Sequence, residues 1–371
     1  MEPLKDLLSA ENAKIIGKAI ALAHKDFPLA RFQRGLAASL DPLELKPRVL
    51  HIADRLSALL PAGPAVLFPI LVRGMQLGDL RGFPVWPLTE IVARHATDPA
   101  HFDPAMAALR EMTRRFTAEF AIRPFLKSQP QRTLDLLHLW CADPCEHVRR
   151  LVSEGTRPFL PWGGNLPEML APPHPTLDLL EKIHADPSDY VRLSVANHLN
   201  DFSKRHPDKV VALLKRWRAA SPGDARLEKL SRHACRTLIK AGHSGALALH
   251  GYGGSSSLDL VSCSISPTNI VLGGALEYHL VIHNRSAKAC KVLFDYAIHH
   301  RKANGTLSPK VFKGRSTVID ARGTWEIRGR HVIRPITTRV YHPGLHHFEP
   351  IINGKPQPGR DFELMESDGR W

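Results

Sequence analysis

The sequence predicts an array of helical repeats followed by a small all-β sandwich. Three observations indicate this. Apolar residues recur at helical spacing up to about residue 250, one helix–turn–helix unit is repeated inside that region, and the apolar period changes to two after it. The chain has 371 residues, about the length of two domains, and its 43% hydrophobic content allows each domain a packed core.

The helical part contains an internal repeat at an offset of 43 residues. Residues 133–137 recur at 176–180, and Ala-Asp-Pro at 142–144 recurs at 185–187, within a window of 20 residues that holds 11 identities. The unit is a helix, an Asp-Pro turn and a second helix, with the proline expected in the first turn of the second helix. A period near 40 with this architecture is typical of HEAT repeats, which stack into an α-solenoid.

The carboxyl-terminal part alternates with the period of a β-strand. Five strands are predicted, at residues 258–266, 275–283, 291–297, 316–319 and 323–333. Their spacing favours a small β-sandwich of about 110 residues, and the Gly/Ser-rich stretch before them resembles a flexible linker. We therefore predict a HEAT-like domain at residues 1–251, a linker at 252–257 and a β-sandwich domain at 258–371.

The chain is strongly basic along its whole length. It has 50 Lys and Arg residues against 36 Asp and Glu, a formal net charge of +14. Residues 1–250 carry 34 basic and 26 acidic groups, and residues 251–371 carry 16 and 10. Such an excess predicts a polyanionic partner, with nucleic acid ahead of a membrane surface. The alternative is a basic protein without such a partner.

Several classes of protein are excluded. No run approaches the 18 apolar residues of a membrane span, and the amino terminus lacks the apolar core of a signal peptide. We expect a cytoplasmic protein, on the nucleoid when bound to DNA, with no membrane partner. The five cysteines are scattered, and the 21 histidines form no motif with carboxylates that is typical of a metal site. We expect no metal and no cofactor.

Aligning the second helices of the repeats brings four residues to one register. They are Glu119, Glu154, Asn197 and Arg236. Acidic groups weaken binding to phosphate, so two glutamates on a basic face suggest chemistry. The alternative is a solvated surface, on which Glu119 and Glu154 pair with Arg123 and Arg157. Arg149 and Arg192 occupy the position that commonly stabilises a HEAT stack by pairing with aspartate, so a structural role is expected for them.

Two segments carry a resemblance to a known family. They are FTAEFAIRPFL at residues 116–126 and VRRLVSEGTRPFLPW at residues 148–162. Together with LELK at 43–46 and HIA at 51–53, they resemble the AlkC family of bacterial DNA alkylation-repair glycosylases. That family is similar to the AlkD glycosylases in its HEAT-like repeats, and some members add an immunoglobulin-like domain. The resemblance therefore implies that the β-sandwich at 258–371 is immunoglobulin-like. The similarity covers most of residues 1–250.

The resemblance implies hydrolysis of the N-glycosidic bond of cationic methylated bases, chiefly 3-methylcytosine and 3-methyladenine, in duplex DNA and without base flipping. Glu119 and Glu154 would stabilise an oxocarbenium-like deoxyribose and position water, and Trp162 would pack on the sugar. Trp162 could instead anchor the Pro-rich turn that precedes it. The expected DNA contacts are Arg123, Arg150, Arg157, Asn197, Arg236, Lys240 and Arg322.

The expected partner is double-stranded DNA that contains alkylated bases, bound by a monomer with no obligatory protein partner. The β-domain is predicted to act as a clamp that closes the open side of the solenoid around the duplex; the alternative is a solubilising appendage. For the chain as a whole, the alternative to an enzyme is a non-catalytic HEAT scaffold that binds DNA structures or proteins, since a fold does not fix a function.

Overall fold

The computed structural model describes residues 3–253, 257–336 and 339–365. They form two compact units, Met1–Arg205 and His206–Trp371. The first unit is built from α-helices, and the second contains further helices followed by a β-sandwich. The predicted order, helical repeats and then a β-sandwich, is confirmed.

Twelve α-helices of the described residues lie in the first unit and four in the second. In the first they are α1 (Ala10–Ala23), α2 (Leu29–Gln33), α3 (Leu36–Leu40), α4 (Leu45–Ser57), α5 (Pro64–Leu77), α6 (Trp86–Ala93), α7 (Phe102–Thr113), α8 (Arg123–Ser128), α9 (Pro130–Trp140), α10 (Glu146–Gly155), α11 (Thr176–Ile183) and α12 (Asp189–Phe202); in the second they are α13 (Pro207–Ala220), α14 (Ala225–Ala234), α15 (Arg236–Lys240) and α16 (Ser244–Leu249). Within the described residues, no helix combines the length and apolar character that a bilayer span requires.

The predicted repeat is present as two helical hairpins. One is α9 with α10, the other is α11 with α12, and α10 packs against α12. The proline of each hairpin lies in the turn, two residues before the second helix, and not in the first helical turn as predicted. The reason is the aspartate before it: the Asp143 carboxylate accepts the N–H of Cys145 at 2.8 Å, and Asp186 accepts that of Ser188 at 2.9 Å. Each turn is therefore closed by its own aspartate before the helix begins.

Successive repeats are joined by arginines that pair with buried aspartates. Arg110 contacts Asp143 at 2.6 Å, and Arg149 forms two hydrogen bonds with Asp186, at 2.6 and 3.0 Å. The structural role predicted for Arg149 is confirmed. Arg192 also has a structural role, but it pairs with an aspartate of its own helix.

A short hairpin leaves the helical pattern after α10. It consists of β1 (Phe159–Leu160) and β2 (Gly164–Asn165), paired antiparallel. Three residues, Pro161 to Gly163, form its turn. The sequence patterns did not predict these strands, because two residues are too few for an alternating period.

The sandwich has two sheets. Its strands are β3 (Leu258–Ser266), β4 (Asn269–Val271), β5 (Ala275–Asn284), β6 (Cys290–Arg301), β7 (Leu307–Ile319), β8 (Thr324–Val332), β9 (Gly344–Ile352), β10 (Lys355–Pro356) and β11 (Arg360–Met365). One sheet has the order β4-β11-β9-β6-β7 with β10 on β9, and the other has the order β3-β5-β8. All pairs are antiparallel except β4 with β11.

Aromatic residues fill the space between the two sheets. The ring of Tyr278 on β5 stacks on Phe348 of β9 at 5.1 Å and contacts Tyr296 of β6 at 5.1 Å. All five predicted strands are present. The four others of the sandwich escaped prediction because they are short or, in β9, because histidines and a proline interrupt the alternation.

The last helices belong to the same compact unit as the sandwich. Gly242, after α15, lies so close to Gly354 that a Cβ on Gly242 would come within 2.5 Å of its carbonyl oxygen. Leu247, Tyr252 and Leu293 form a buried apolar cluster at this contact. Residues 254–256 of the predicted linker lie outside the described residues, and the domain limits proposed from the sequence stay a prediction.

The arginine–aspartate pairs should stabilise the repeat array. We predict that Arg149→Ala lowers the free energy of unfolding by about 3 kcal/mol, because it leaves the buried Asp186 carboxylate without its cation. Arg81→Ala, which removes an exposed partner of Asp79, is the control and should cost less than about 1 kcal/mol. Urea unfolding measures both, and equal losses would contradict the structural role of Arg149.

Candidate active site

An open cleft of about 280 Å³ in the first unit contains all three residues predicted to be catalytic. Its walls are the aromatic residues around the start of α6, the turn after α7, the end of α10 and the hairpin β1–β2. The lining residues are Phe83, Trp86, Phe116, Thr117, Glu119, Phe120, Glu154, Arg157, Leu160, Pro161 and Trp162.

Glu154 is a buried carboxylate near the end of α10. It is 5% exposed, and it accepts hydrogen bonds of 2.6 Å from both Arg157 and the Ser194 hydroxyl. Burial by itself raises the pKa of Glu154, but the charges of Arg150 and Arg157 and the bond from Ser194 outweigh it, so the pKa lies below its usual value. Glu154 is therefore ionised at neutral pH and serves as a negative charge, not as a proton donor.

Glu119 reaches the same cleft from a turn. The sequence alignment placed it on a second helix in register with Glu154, and this was wrong: α7 ends at Thr113, and Glu119 lies in the turn before α8. The threonines of this segment end the helix, since the Thr113 hydroxyl accepts the N–H of Ala118 at 3.2 Å and the Thr117 hydroxyl accepts that of Glu119 at 3.3 Å. The two carboxylates share a cleft for tertiary reasons and not by repeat symmetry.

A single guanidinium lies between the two glutamates. Arg150 donates to Glu119 at 2.6 Å, and another of its nitrogens lies 3.5 Å from a Glu154 oxygen. It also donates to the Thr117 hydroxyl at 2.9 Å, and its charged end lies over the ring of Tyr190 at 5.0 Å. Arg150 thus orients both carboxylates and offsets part of their mutual repulsion.

A second layer of polar residues on α12 supports Glu154. Arg157 donates to Asp201 at 2.9 Å, so this arginine connects two buried carboxylates. His198 is fully buried and contacts the Ser153 carbonyl at 3.0 Å, and burial lowers its pKa to about 4. The sequence patterns did not point to Ser194, His198 or Asp201. The feature of the sequence that could have revealed them is a stripe of polar residues at helical spacing, which begins at Ser194 on the otherwise apolar buried face of α12.

Trp162 stands at the tip of the hairpin with its indole in solvent. It is 60% exposed, so it does not anchor the Pro-rich turn by packing. Its φ is 63°, in the left-handed region that favours glycine. The Lys46 ammonium donates to its carbonyl oxygen at 3.1 Å. An exposed aromatic residue in this conformation, beside two carboxylates, is characteristic of a functional surface.

Two known proteins are similar to most of this chain. A protein of Bacillus subtilis (strain 168), YhaZ, is 40% identical over 265 residues, which are 71% of this chain and 73% of YhaZ. A solved structure of Pseudomonas fluorescens alkylpurine DNA glycosylase AlkC, bound to DNA containing an abasic site analog, is 34% identical and covers 98% of this chain and 100% of that chain with a TM-score of 0.89. The chain belongs to the AlkC family.

The β-sandwich has its own family match. Residues 259–366 match the model described as "Uncharacterised protein YhaZ, C-terminal Ig-like domain". The immunoglobulin-like class predicted for this part of the chain is confirmed.

Two arginines predicted to contact DNA in this AlkC-family chain are instead part of its interior. Arg123 is 2% exposed, and Arg157 is 8% exposed with its charge shared between Glu154 and Asp201. The guanidinium of Arg150 is also occupied by the two glutamates. The contacts predicted for Arg123 and Arg157 are wrong, because a sequence does not tell whether an arginine faces solvent or the protein interior. The contact predicted for Arg150, which is half-buried, stays a prediction.

The other predicted DNA contacts lie at the surface. Asn197 is half-buried on α12 in the first unit, and Arg322 is exposed at the turn between β7 and β8. Arg236 and Lys240 are exposed on α15 in the second unit, where they line another cleft of about 220 Å³. That cleft is formed by α14, α15 and strands β6 and β7, and its other residues are Arg232, Ile239, Tyr252, Leu293, Asp295, Val311 and Lys313.

No cluster that could hold a metal ion occurs among residues 3–253, 257–336 and 339–365. The charged groups of the candidate site pair with one another instead: Arg150 contacts Glu119 and Glu154, and Arg157 contacts Glu154 and Asp201.

The pairing of Glu154 predicts a specific pH dependence of stability. Because its folded pKa is depressed, its contribution is present above the unfolded value of 4.5 and is lost as the pH falls through the folded pKa. We expect Glu154→Gln to lower the free energy of unfolding at pH 7 by about 3 kcal/mol, and the difference from wild type to shrink below pH 4.5.

Urea unfolding between pH 3 and 7 measures this difference. His198, whose pKa is lowered to about 4, loses its own contribution as the pH falls below 6.5 in both proteins, so most of that loss cancels in the comparison. Glu146→Gln, an exposed glutamate of the same helix, is the matched control and should show no such trend. A pH-independent difference for Glu154→Gln would contradict the ionised pair.

Proposed function

We propose that this chain is a DNA glycosylase that removes cationic alkylated bases, such as 3-methylcytosine and 3-methyladenine, from duplex DNA. The observation that supports it best is the pair of carboxylates, Glu119 and Glu154, held by one arginine on the wall of an open cleft beside the exposed indole of Trp162. The AlkC structure that matches nearly the whole chain is that of a DNA glycosylase bound to DNA containing an abasic site analog.

The chemistry requires negative charge and no strong acid. A base that carries a formal positive charge leaves as a neutral molecule, and the transition state places the positive charge on the deoxyribose. The ionised Glu154 stabilises that charge in a largely dry environment, where electrostatic interactions are strong. The other glutamate positions the attacking water, and the face of Trp162 favours the developing cation.

An open cleft suits a base that remains in the helical stack. Flipped bases are held in deep pockets that stack on both faces of the base. Here the carboxylates lie on a shallow wall, next to a protruding indole, so they can approach the deoxyribose of a nucleotide from outside the helix.

Base release tests this assignment. We predict that Glu154→Gln slows single-turnover release of methylated bases from duplex DNA by about 100-fold or more, since it removes one preorganised charge. Glu119→Gln and Trp162→Gly should also slow it. Trp162→Gly should keep its stability, because glycine adopts the left-handed conformation readily. Chromatography of released bases measures the rates, with Glu146→Gln as the control.

The outcomes separate the possibilities. Full activity of Glu154→Gln would remove this residue from the site while leaving the enzyme class intact. If the wild-type protein releases no base above background, the glycosylase proposal fails and a non-catalytic DNA-binding scaffold remains.

We further propose that Arg236, Lys240 and the exposed Arg322 contact DNA phosphates. The cleft beside α15 also contains Arg232 and Lys313, against a single carboxylate, and its apolar walls suit the sugar of a DNA backbone. Because the sandwich packs on α15, α16 and the residues that follow them, point substitutions test this better than deletion of residues 252–371.

Salt dependence provides the test. Each phosphate contact that is lost should reduce the slope of log K against log salt by about 0.9. We predict this reduction for Lys240→Gln and for Arg322→Gln on undamaged duplex DNA, with little change for the exposed control Lys302→Gln. A wild-type slope near zero would instead favour a protein-binding adaptor.

A further inference from the structure

The hairpin turn that carries Trp162 has a backbone that its surroundings must hold in place. Trp162 has a φ of 63° and Gly164 one of 72°. A non-glycine residue in the left-handed region costs about 1–2 kcal/mol. The indole is 60% exposed, so its own packing does not offset this cost. The stabilising contacts have to be made to the backbone of the turn.

Arg123 makes most of those contacts from α8. Its Nε and Nη2 donate to the carbonyls of Gly163 and Gly164, at 3.0 and 2.7 Å. Its Nη1 donates to the carbonyls of Gly155 and Arg157, both at 2.9 Å. The first pair belongs to the hairpin and the second to the end of α10. One rigid, planar group therefore fixes the hairpin relative to the helix that carries the buried glutamate.

The position of Arg123 leaves it no other role. It is 2% exposed, and burial lowers its pKa only to about 10, so it stays charged at neutral pH. Gly155 ends α10, and its carbonyl is one of those that a helix leaves without an internal partner. A Cβ on Gly155 would lie 2.5 Å from Ile122, the residue before Arg123, so α10 and the start of α8 are in close contact.

Lys46 holds the tip of the same turn from α4. Its ammonium donates to the Trp162 carbonyl at 3.1 Å, and no other hydrogen bond or ion pair of this side chain occurs among the described residues. Lys46 is exposed, unlike Arg123, so it can be replaced without opening the interior.

We propose that Arg123 and Lys46 are positioning residues of the reaction, which hold the Trp162 turn in its strained conformation at a fixed distance from Glu154. Neither residue needs to touch DNA for this. The consequence for catalysis rests on the proposed function, since an indole that is displaced by a fraction of an ångström loses its alignment with the sugar. That the two residues hold the turn in place follows from their hydrogen bonds to its carbonyls alone, whether or not the protein is a glycosylase.

Lys46→Met is the main test, with Lys46→Arg as the rescue variant and Lys127→Met, an exposed lysine on α8, as the matched control. We expect Lys46→Met to slow single-turnover base release about tenfold at saturating protein, with an unchanged urea midpoint. Lys46→Arg, which keeps the donor and the charge, should restore most of the rate. Lys127→Met should behave as wild type.

A second readout reports on the turn without any catalysis. The fluorescence of Trp162 is obtained by subtracting the spectrum of Trp162→Phe in each background, and its quenching by acrylamide measures how well the indole is held. Quenching should increase in Lys46→Met and not in Lys127→Met. Arg123→Lys has an ammonium that cannot reach both pairs of carbonyls. Provided that circular dichroism shows this variant to be folded, its Trp162 quenching should increase more than that of Lys46→Met.

These readouts keep the two proposals apart. If the wild type releases no base, a change in Trp162 quenching still supports the positioning role, and unchanged quenching overturns it. If the wild type is active, a Lys46→Met protein with the wild-type rate and quenching overturns the proposal. Equal slowing by Lys46→Met and Lys127→Met also overturns it, because general loss of positive charge then explains the effect.

Discussion

The candidate site depends on the cost of burying a carboxylate. Glu154 is only 5% exposed, and an unpaired charge there would either pick up a proton or destabilise the fold. Arg150, Arg157 and the Ser194 hydroxyl prevent both outcomes. Arg157 in turn pairs with Asp201 as its second partner. The buried polar residues around Glu154 therefore form one connected network.

The basic excess of the chain therefore has two parts. Some arginines, such as Arg123, Arg149 and Arg157, bind carbonyls and carboxylates of the protein itself. Others remain exposed in the second unit, around α15 and at the β7–β8 turn. The net charge, which predicted a polyanionic partner, counts buried and exposed basic groups alike, although only the exposed ones are available to phosphates. For this reason the composition indicates the class of partner and not the contact residues.

The hairpin after α10 joins the fold to the chemistry. A left-handed tryptophan is unfavourable for the isolated chain, and it persists because Arg123 and Lys46 bind the carbonyls of its turn. The same bonds connect α4, α8 and α10 to the indole. Strain at this position is therefore balanced by contacts from two helices, α4 and α8, that are far apart in sequence. These contacts explain why a two-stranded element this short is stable.

The sequence by itself determined the repeats and the change to β-structure, because periodicity is a local property. Its short motifs led to Glu119, Glu154 and Trp162 as candidate site residues. Only the tertiary structure decided which arginines are buried. It also moved Glu119 from a helix to a turn, since threonine hydroxyls compete with helical hydrogen bonds there. Asp201 and Lys46 join the site only through folding. Contacts of this kind depend on which helix faces are brought together, and a linear pattern does not contain that information.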